Sequence, residues 1–206
     1  FWETHGNNVE SWHEQARTYY RVRGPLVNEW HPNQFLYDAK DDGFQAIVRK
    51  IEGEVATLEV TQDYRSERHA VWGITARNRE QNFALNALMD PEIDFVTLLG
   101  TAGTGKTLLA LASGLAQTMD QQRYREIIMT RATVSVGEDI GFLRGREEEK
   151  MEPWMGALMD NLEVLTQSQE GGSWGRSATN DLLRNRIKIR SLNFMRGRTF
   201  LNRFII

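Results

Sequence analysis

The sequence contains no cysteine, which excludes a disulfide framework and thiolate chemistry. It also lacks any apolar run near the ~20 residues that a membrane-spanning helix needs, so we expect no membrane partner. The chain opens Phe1-Trp2-Glu3, with neither Met nor a signal-peptide pattern. We therefore expect a piece of a longer cytoplasmic protein. Its 206 residues, 40% of them hydrophobic, suffice for one domain plus a small module.

Acidic residues are missing from Leu182 to Ile206, a stretch that holds seven basic residues. The net charge of the whole chain is −3, and −3 minus 7 leaves −10 for the remainder. A basic end on an acidic body indicates a contact with a polyanion, a charged subunit interface or a solvated face. Arg184, Arg186 and Arg190 are our candidates for contacts with RNA.

One stretch matches the phosphate-loop pattern G-x-x-x-x-G-K-[ST] at every fixed position. Its residues are Gly100, Thr101, Ala102, Gly103, Thr104, Gly105, Lys106 and Thr107. The apolar run Asp94–Leu99 before it is typical of a buried strand, and apolar residues recur at helical spacing from Leu108 to Met119. A glycine turn that merely caps a helix is the alternative, but such a turn does not call for Lys-Thr.

Strand, glycine loop and helix are the order that a phosphate cradle needs. Backbone N–H groups of residues 100–108, including that of Leu108, would bind phosphate oxygens, aided by the positive end of the helix dipole. Lys106 would reach the β- and γ-phosphates, and the Thr107 hydroxyl would bind Mg²⁺. The sequence therefore predicts ATP and Mg²⁺ as cofactors, with Lys106 and Thr107 in catalytic roles.

The rest of the chain predicts a parallel α/β core behind a β-rich module. Residues 33–62 alternate as a small antiparallel meander, and residues 1–32 are rich in aromatic residues, with a weak helical pattern around Trp12. Those aromatic residues would stack on bases or, as we favour, pack on a neighbouring domain. We assign residues 1–70 to the module and residues 71–206 to the core.

Helices and strands alternate after residue 71. Helix Asn78–Met89, closed by Pro91, is followed by the loop and its helix, and a further helix is predicted from Pro153. Strands are predicted at 94–99, 127–130, 187–192 and from 204. This alternation is typical of a doubly covered parallel sheet that binds ligands beyond the carboxyl ends of its strands, where Gly100 and Arg131 fall.

Several short runs resemble the PhoH-like ATPases, in particular the type fused behind a PIN nuclease domain. These runs are residues 76–81 (ARNREQ), 100–107 (GTAGTGKT), 130–134 (TRATV), 137–143 (GEDIGFL), 149–154 (EKMEPW) and 196–199 (RGRT). The resemblance implies ATP hydrolysis on a RecA-like P-loop core related to superfamily 1 helicases. It also implies work on RNA, a fused or associated PIN nuclease domain and a homo-oligomer, with a ring as one form.

The chain departs from that family at two places. Arg144 stands where family members usually have proline. The family also continues its last strand into Asp-Glu-Ala-Gln, the second nucleotide motif (Walker B), whereas this sequence stops at Ile206. We therefore expect the 206-residue chain alone to bind ATP weakly and to turn it over at most marginally, because an acid is needed to hold Mg²⁺.

Three further positions carry two interpretations each. Gln81 would hydrogen-bond the adenine edge by resemblance, or it would reach back in a capping box with Asn78. Arg131 would touch the nucleic-acid backbone or sense nucleotide, or it would pair with Glu138 or Asp139. Glu138 would polarise the attacking water or be a solvated acid.

An arginine finger acting across a subunit boundary is also expected by analogy with other phosphoryl-transfer enzymes. The candidates are Arg144, Arg196 and Arg198. Two rival functions remain open from the sequence: a small-molecule kinase, which shares the phosphate loop, and a nucleotide-sensing interaction module with little turnover.

Overall fold

The computed structural model describes residues 8–38, 43–131 and 185–206. The predicted helix that starts at Pro153 lies outside the described residues. So do four residues of the predicted sites, namely Glu138, Asp139, Arg144 and Arg184. The chain divides into two compact units, Phe1–Asp63 and Tyr64–Ile206. None of the helices described is both long and apolar enough to cross a membrane.

The first unit is a five-stranded antiparallel sheet in the order β1-β2-β5-β4-β3. Its strands are β1 (Asn8–Glu14), β2 (Arg17–Arg23), β3 (Phe35–Tyr37), β4 (Gln45–Glu52) and β5 (Val55–Val60). The predicted meander is confirmed as β3, β4 and β5. Gly53 lies in the two-residue turn between β4 and β5, at a φ of 60° that glycine adopts readily.

One face of this sheet lines the hydrophobic core of the unit. Val22, Val48 and Leu58 point to that face and are fully buried. The 3₁₀ turn Pro25–Glu29 covers the face by inserting Val27. The opposite face carries the alternate residues of each strand, as the pleat requires.

The weak helical pattern around Trp12 is wrong, because β1 and β2 form a hairpin there. Trp12 pairs with Tyr19 across the two strands. The turn between them is Gln15-Ala16, with φ values of 48° and 63°. Both residues adopt the left-handed conformation without the Asn-Gly or Asp-Gly pair that usually marks such a turn, so no local pattern predicted a hairpin.

The second unit contains a three-stranded parallel sheet in the order β7-β6-β8. Its elements are α1 (Arg79–Met89), α2 (Lys106–Leu115), β6 (Glu126–Arg131), β7 (Ile187–Ser191), α3 (Leu192–Met195) and β8 (Arg203–Ile205). A π-helical turn, Ala116–Asp120, extends α2. The predicted α/β architecture with a parallel sheet is confirmed, as are helix α1 and strands β6, β7 and β8.

The predicted strand at 94–99 is wrong for the structure described. These residues are irregular, and the side chains of Phe95 and Leu99 are 85% and 97% exposed. Both edges of β6 are already occupied, by β7 and β8, and a cavity lies between this run and β8. The run has the composition of a strand, but no described strand pairs with it.

Helices α1 and α2 pack together beside the parallel sheet. Leu85, Leu111, Leu115 and Ile127 are fully buried in one cluster. This packing fixes the direction in which the first turn of each helix points.

Two buried amides brace the helix pair. Gln117 is 1% exposed, and its Nε2 donates to the carbonyl oxygen of Leu88 at 3.0 Å, near the end of α1. Asn82 accepts a hydrogen bond from the backbone N–H of Tyr64 at 2.8 Å. Because a buried amide is costly without partners, these bonds hold α1 at one position beside α2.

Candidate nucleotide-binding site

The loop 100–107 leads directly into helix α2, as its sequence predicts. Gly105 is the N-cap, with a φ of 85°, and Gly103 has a φ of 77°. Both angles are left-handed values that only glycine adopts without strain. The loop is therefore turned so that its last residues start the helix, whose N-terminal end favours anions.

Two glycines also leave room that a side chain would fill. A Cβ at Gly100 would lie 3.3 Å from Thr104 Oγ1, and a Cβ at Gly105 would lie 3.3 Å from Gln81 Nε2. Ala102, Gly103 and the other residues at the crest of the loop are exposed. A small, exposed cradle at a helix N-terminus fits a phosphate group.

Lys106 is folded back over this loop. Its Nζ donates to the carbonyl oxygens of Thr101 at 2.7 Å and Gly100 at 3.0 Å, and to Thr104 Oγ1 at 3.2 Å. The Thr104 hydroxyl in turn donates to the carbonyl oxygen of Thr101 at 2.9 Å. The ammonium group therefore lies over the loop itself, within reach of any anion that the loop binds.

Gln81 connects helix α1 to the loop. Its Nε2 donates to the carbonyl oxygen of Thr104 at 3.1 Å, and its Oε1 accepts from the backbone N–H of Arg77 at 2.8 Å. The backbone N–H of Gln81 donates to Asn78 Oδ1 at 2.9 Å. Asn78 is thus the N-cap of α1, and Gln81 reaches back one residue beyond the cap.

The two interpretations of Gln81 are compatible in this geometry. A side-chain amide has two N–H donors and two acceptor lone pairs, and one of each is used here. One donor and one lone pair are left for an adenine edge. The adenine role of Gln81 stays a prediction.

The first turn of α1 also perturbs an acid. A hydrogen bond from the backbone lowers the pKa of Glu80 below its usual value, and the adjacent Arg79 guanidinium lowers it further. Arg79 Nη2 lies 2.8 Å from Glu80 Oε1. A carboxylate at a helix N-terminus strengthens that end of the helix, so Glu80 supports the turn that positions Gln81.

Thr107 and Leu108 differ in their surroundings. Thr107 is exposed and lines a cavity of about 700 Å³ together with Lys106, Phe95 and Ile205. Its hydroxyl is an oxygen ligand of the type that Mg²⁺ takes. Leu108 packs against the apolar cluster of the unit, so only its backbone is left to contact a phosphate.

The described residues supply little else for a metal. They contain no group of three or more His, Cys, Asp or Glu placed to hold an ion. Glu138, the predicted catalytic acid, is not among them. Thr107 is therefore the described residue that best fits the predicted Mg²⁺ site, as one ligand of several.

The carboxyl end of β6 brings Thr130 and Arg131 to one edge of the parallel sheet. Thr130 Oγ1 is buried, and within the described part of the chain it has no hydrogen-bond partner. Gly100 does not follow a described strand, so of the two predicted strand-end positions only Arg131 lies at one. The buried Thr130 hydroxyl beside it is a further candidate contact at this edge.

Two of the predicted RNA contacts, Arg186 and Arg190, lie at opposite ends of β7. Arg186 lies before β7, and its Nη1 donates to the carbonyl oxygen of Arg125 at 2.8 Å, just ahead of β6. Arg190 pairs in register with Thr130, near the other end of the sheet. The candidate finger residues Arg196 and Arg198 are exposed after α3.

Sequence reasoning missed the residues that orient α1 against the loop. Asn82 is 1% exposed, and it holds the segment before α1 through Tyr64. Gln117 holds the other end of α1 through its hydrogen bond to the carbonyl oxygen of Leu88. For both Asn82 and Gln117, the available sequence signal was a single amide side chain among the apolar residues of one helix face.

Comparison with known proteins places these features in a family. The family model described as PhoH-like protein matches residues 73–206, which contain the loop, Gln81 and the parallel sheet. Its match begins after the antiparallel unit. The matched region covers well over half of the chain.

Curated relatives agree with this match. The protein PhoH2 of Bacillus subtilis is 38% identical over 177 residues, or 86% of this chain and 39% of the relative. PhoH2 of Mycolicibacterium smegmatis is 35% identical over 75% of this chain and 34% of its own length. A PhoH-like protein of Synechocystis is 31% identical over 79% of this chain and 46% of its own length. The chain thus spans between a third and a half of these relatives.

Proposed function

This chain belongs to the PhoH-like protein family, a family of nucleotide-binding P-loop ATPases, and we propose that it binds ATP with Mg²⁺ and couples hydrolysis to unwinding or remodelling of RNA. The observation that carries the proposal is the arrangement of Lys106 over the glycine loop at the start of α2. That arrangement places an ammonium group, backbone N–H groups and a helix N-terminus around one small cradle.

Binding of a triphosphate exchanges one set of contacts for another. Lys106 gives up its bonds to loop oxygens and donates to phosphate oxygens instead, which are better acceptors because they are charged. The loop N–H groups and the dipole of α2 neutralise the charge that develops on the transferred phosphoryl group. The Thr107 hydroxyl would be one ligand of Mg²⁺, which would supply further neutralisation when bound.

Selection of the base follows from Gln81. Its free donor and lone pair complement the edge of adenine, which offers a donor and an acceptor side by side. Because the same amide holds Thr104, recognition of the base is coupled to the shape of the phosphate loop. ATP is therefore the nucleotide that we assign to this site.

The partners of the whole protein are part of the proposal. RNA is the substrate, contacted by Arg131 and by the basic residues Arg184, Arg186 and Arg190. A fused or associated PIN nuclease domain and a homo-oligomer, with Arg144, Arg196 or Arg198 acting across the subunit boundary, complete the assembly. The aligned part of this chain covers 39% and 46% of two of the relatives, so their remaining length leaves room for further domains.

A steady-state ATPase assay with and without single-stranded RNA tests the function. Both the 206-residue chain and the full-length protein are measured, each as wild type, Lys106→Ala and the matched charge control Lys188→Ala. We expect RNA to stimulate ATP hydrolysis in the full-length protein, and Lys106→Ala to abolish it.

The other outcomes separate the rival functions. Phosphate transfer to a metabolite instead of water would identify a kinase. Tight ATP binding with negligible turnover, with or without RNA, would identify a nucleotide-sensing module. Normal hydrolysis by Lys106→Ala would show that the loop is not the nucleotide site.

A further inference from the structure

The outer face of the antiparallel sheet, opposite the core of the first unit, carries a flat aromatic ledge. Trp12 on β1 and Tyr19 on β2 face each other across the hairpin, with ring centroids 5.4 Å apart and planes 18° from parallel. The guanidinium carbon of Arg21 lies 5.4 Å from the centroid of Trp12. The pair and the arginine together present stacked planar groups on a β surface.

The register of the strands shows which residues share this face. Tyr19 pairs with Glu59 and Arg21 pairs with Thr57, so these four side chains point the same way. The alternate residues Tyr20, Val22 and Leu58 point into the core. The ledge therefore contributes nothing to the core of the unit. On the same face Gln45, Ile47 and Glu59 are buried, whereas Arg17, Arg21 and Arg23 along β2 are exposed.

Positive charge is concentrated on the same face. All five Lys and Arg among the described residues of the first unit lie on this face. They are Arg17, Arg21, Arg23, Arg49 and Lys50. By contrast, four of the eight described acids of the unit lie there. They are Glu10, Glu14, Glu52 and Glu59. The described charges on the face thus sum to plus one (5 − 4), while those of the described unit sum to minus three (5 − 8).

The acids on this face are largely compensated. Glu59 lies between Arg17 and Arg49, at 2.7 Å from each guanidinium. Glu10 approaches Arg21 at the longer distance of 3.8 Å. The Arg17 and Arg21 side chains stay 51% and 55% exposed, so both are open to a further anionic contact.

Arginine and aromatic side chains also share the outer face of β2. Arg17, Tyr19, Arg21 and Arg23 follow one another on the outer face at every second residue, about 6.6 Å apart for a strand rise of about 3.3 Å per residue. A planar ledge flanked by a row of guanidinium groups is what single-stranded nucleic acid requires. Bases stack on aromatic rings, and phosphates pair with arginines along the groove.

We propose that this outer face is a binding surface for single-stranded RNA, with bases stacked on Trp12 and Tyr19 and phosphates held by Arg17, Arg21 and Arg23. It lies in the first unit, outside the residues matched to the family. The choice of RNA rests on the proposed function, and the surface would give the ATPase a second hold on its substrate.

The test is fluorescence anisotropy of a labelled oligouridylate of about 12 nucleotides, within the ~4–16 that such sheet surfaces cover. The full chain is used without nucleotide. Trp12→Leu and Tyr19→Leu should each weaken binding roughly five-fold or more, because one stacked base contributes ~1–3 kcal/mol. Trp12→Phe should restore most of the affinity, since a smaller ring still stacks.

The arginines are tested through salt. Arg21→Gln and Arg23→Gln should each lower the slope of log affinity against log salt by about one. Arg68→Gln, an exposed arginine in the other unit, is the matched charge control and should leave the affinity unchanged.

The results separate this inference from the proposed function. Unchanged RNA affinity in folded Trp12→Leu and Tyr19→Leu, with RNA still stimulating ATP hydrolysis, overturns the surface alone. Lost RNA affinity in those variants, without any ATP hydrolysis by the full-length wild-type protein, supports the surface and overturns the ATPase. Equal affinity for single-stranded and duplex RNA would also overturn it, because paired bases cannot stack on the ledge. If a Leu variant fails to fold by circular dichroism, the two arginine variants decide the question.

Discussion

The side-chain amide of Gln81 donates a hydrogen bond to the backbone carbonyl of Thr104 at 3.1 Å, which joins the first turn of helix α1 to the last turn of the phosphate loop. The two residues are 23 positions apart in the chain. The same amide accepts from the backbone N–H of Arg77. Any change in how Gln81 is held therefore reaches the loop directly.

Replacing Gln81 with Ala is predicted to weaken ATP binding and to relax the preference for ATP over GTP. The variant loses both the hold on Thr104 and the amide that faces adenine. Isothermal titration with ATP and GTP measures the two effects separately. Equal weakening of both nucleotides would mean that Gln81 positions the loop without reading the base.

Asn78→Ala is the matched control for this prediction. It removes the N-cap of α1 while keeping the Gln81 side chain. Its expected cost is about 1 kcal/mol of unfolding free energy, the usual value for such a cap. A change in base preference in Asn78→Ala would contradict the separate roles of cap and amide.

The two left-handed glycines of the loop are predicted to respond differently to alanine. Gly103→Ala should cost about 1–2 kcal/mol of unfolding free energy, because only the backbone conformation is strained and no atom lies within 4 Å of the new Cβ. Gly105→Ala has the same strain and also presses on Gln81 Nε2 at 3.3 Å. We expect Gly105→Ala to lose more ATP affinity than Gly103→Ala in parallel urea and titration measurements. The reverse order would argue against the Gln81 contact as a constraint on the loop.

Gly114 lies near the end of α2, just before the π-helical turn, and is predicted to resist substitution despite its position in a helix. Alanine there would gain about 1 kcal/mol of helix propensity. Its Cβ, however, would lie 2.9 Å from Phe204 Cδ1 and 3.2 Å from Ile127 Cδ1, and such overpacking costs about 1–3 kcal/mol. Urea denaturation should therefore show Gly114→Ala to be less stable than wild type, by about 1 kcal/mol.

The neighbouring Ser113→Ala supplies the contrast on the same helix. Ser113 is fully buried, and among the described residues its Oγ has no hydrogen-bond partner. Removing a buried, unpartnered hydroxyl should leave stability unchanged or raise it by about 1 kcal/mol. A large loss of stability in Ser113→Ala would mean that the hydroxyl has a partner after all.

The unfolding free energy is predicted to depend on pH through Asp120. Although the residue is exposed, partial burial of its carboxyl raises the pKa above the ordinary value of 3.8. The indole N–H of Trp72 opposes that rise, but its geometry falls short of a hydrogen bond. The folded state then binds the proton more tightly than the unfolded state does, so the unfolding free energy falls as the pH rises through the window above 3.8.

Asp120→Asn removes this penalty. Its melting temperature should exceed that of wild type at pH 7, and the difference should shrink as the pH approaches 3.8. Thermal denaturation over that pH range measures it, with Asp94→Asn as a control for the same change of charge. A difference that grows on acidification would reverse the sign and refute the assignment.

Periodicity predicted those elements whose signals are local. The alternation of β4 and β5, the cap and stop of α1 and the loop-to-helix transition at Lys106 all depend on neighbouring residues, and all are confirmed. The resemblance to the PhoH-like ATPases was likewise readable from short runs, and the family match confirms it.

The sequence-based predictions failed where the local structure depends on residues that are distant in the chain. Residues 94–99 have the composition of a strand, but pairing depends on which edges of the sheet are open, and composition does not contain that information. The β1–β2 hairpin was missed because Gln15-Ala16 lacks the usual turn residues. The link from Gln81 to Thr104 was equally invisible, because sequence spacing does not show that the start of α1 meets the loop.

The uncovered run before the loop has a practical consequence. Phe95-Val96-Thr97-Leu98-Leu99 contains no charge and no proline, is rich in β-forming residues, and exposes two of its largest side chains almost completely. Segments of this kind recruit copies of themselves into intermolecular sheets. Preparations of this chain should therefore aggregate as the protein concentration rises, and light scattering should show the effect diminish when Phe95 and Leu99 are changed to Lys. In a cell, the same run would be a target for chaperones and proteases until something covers it.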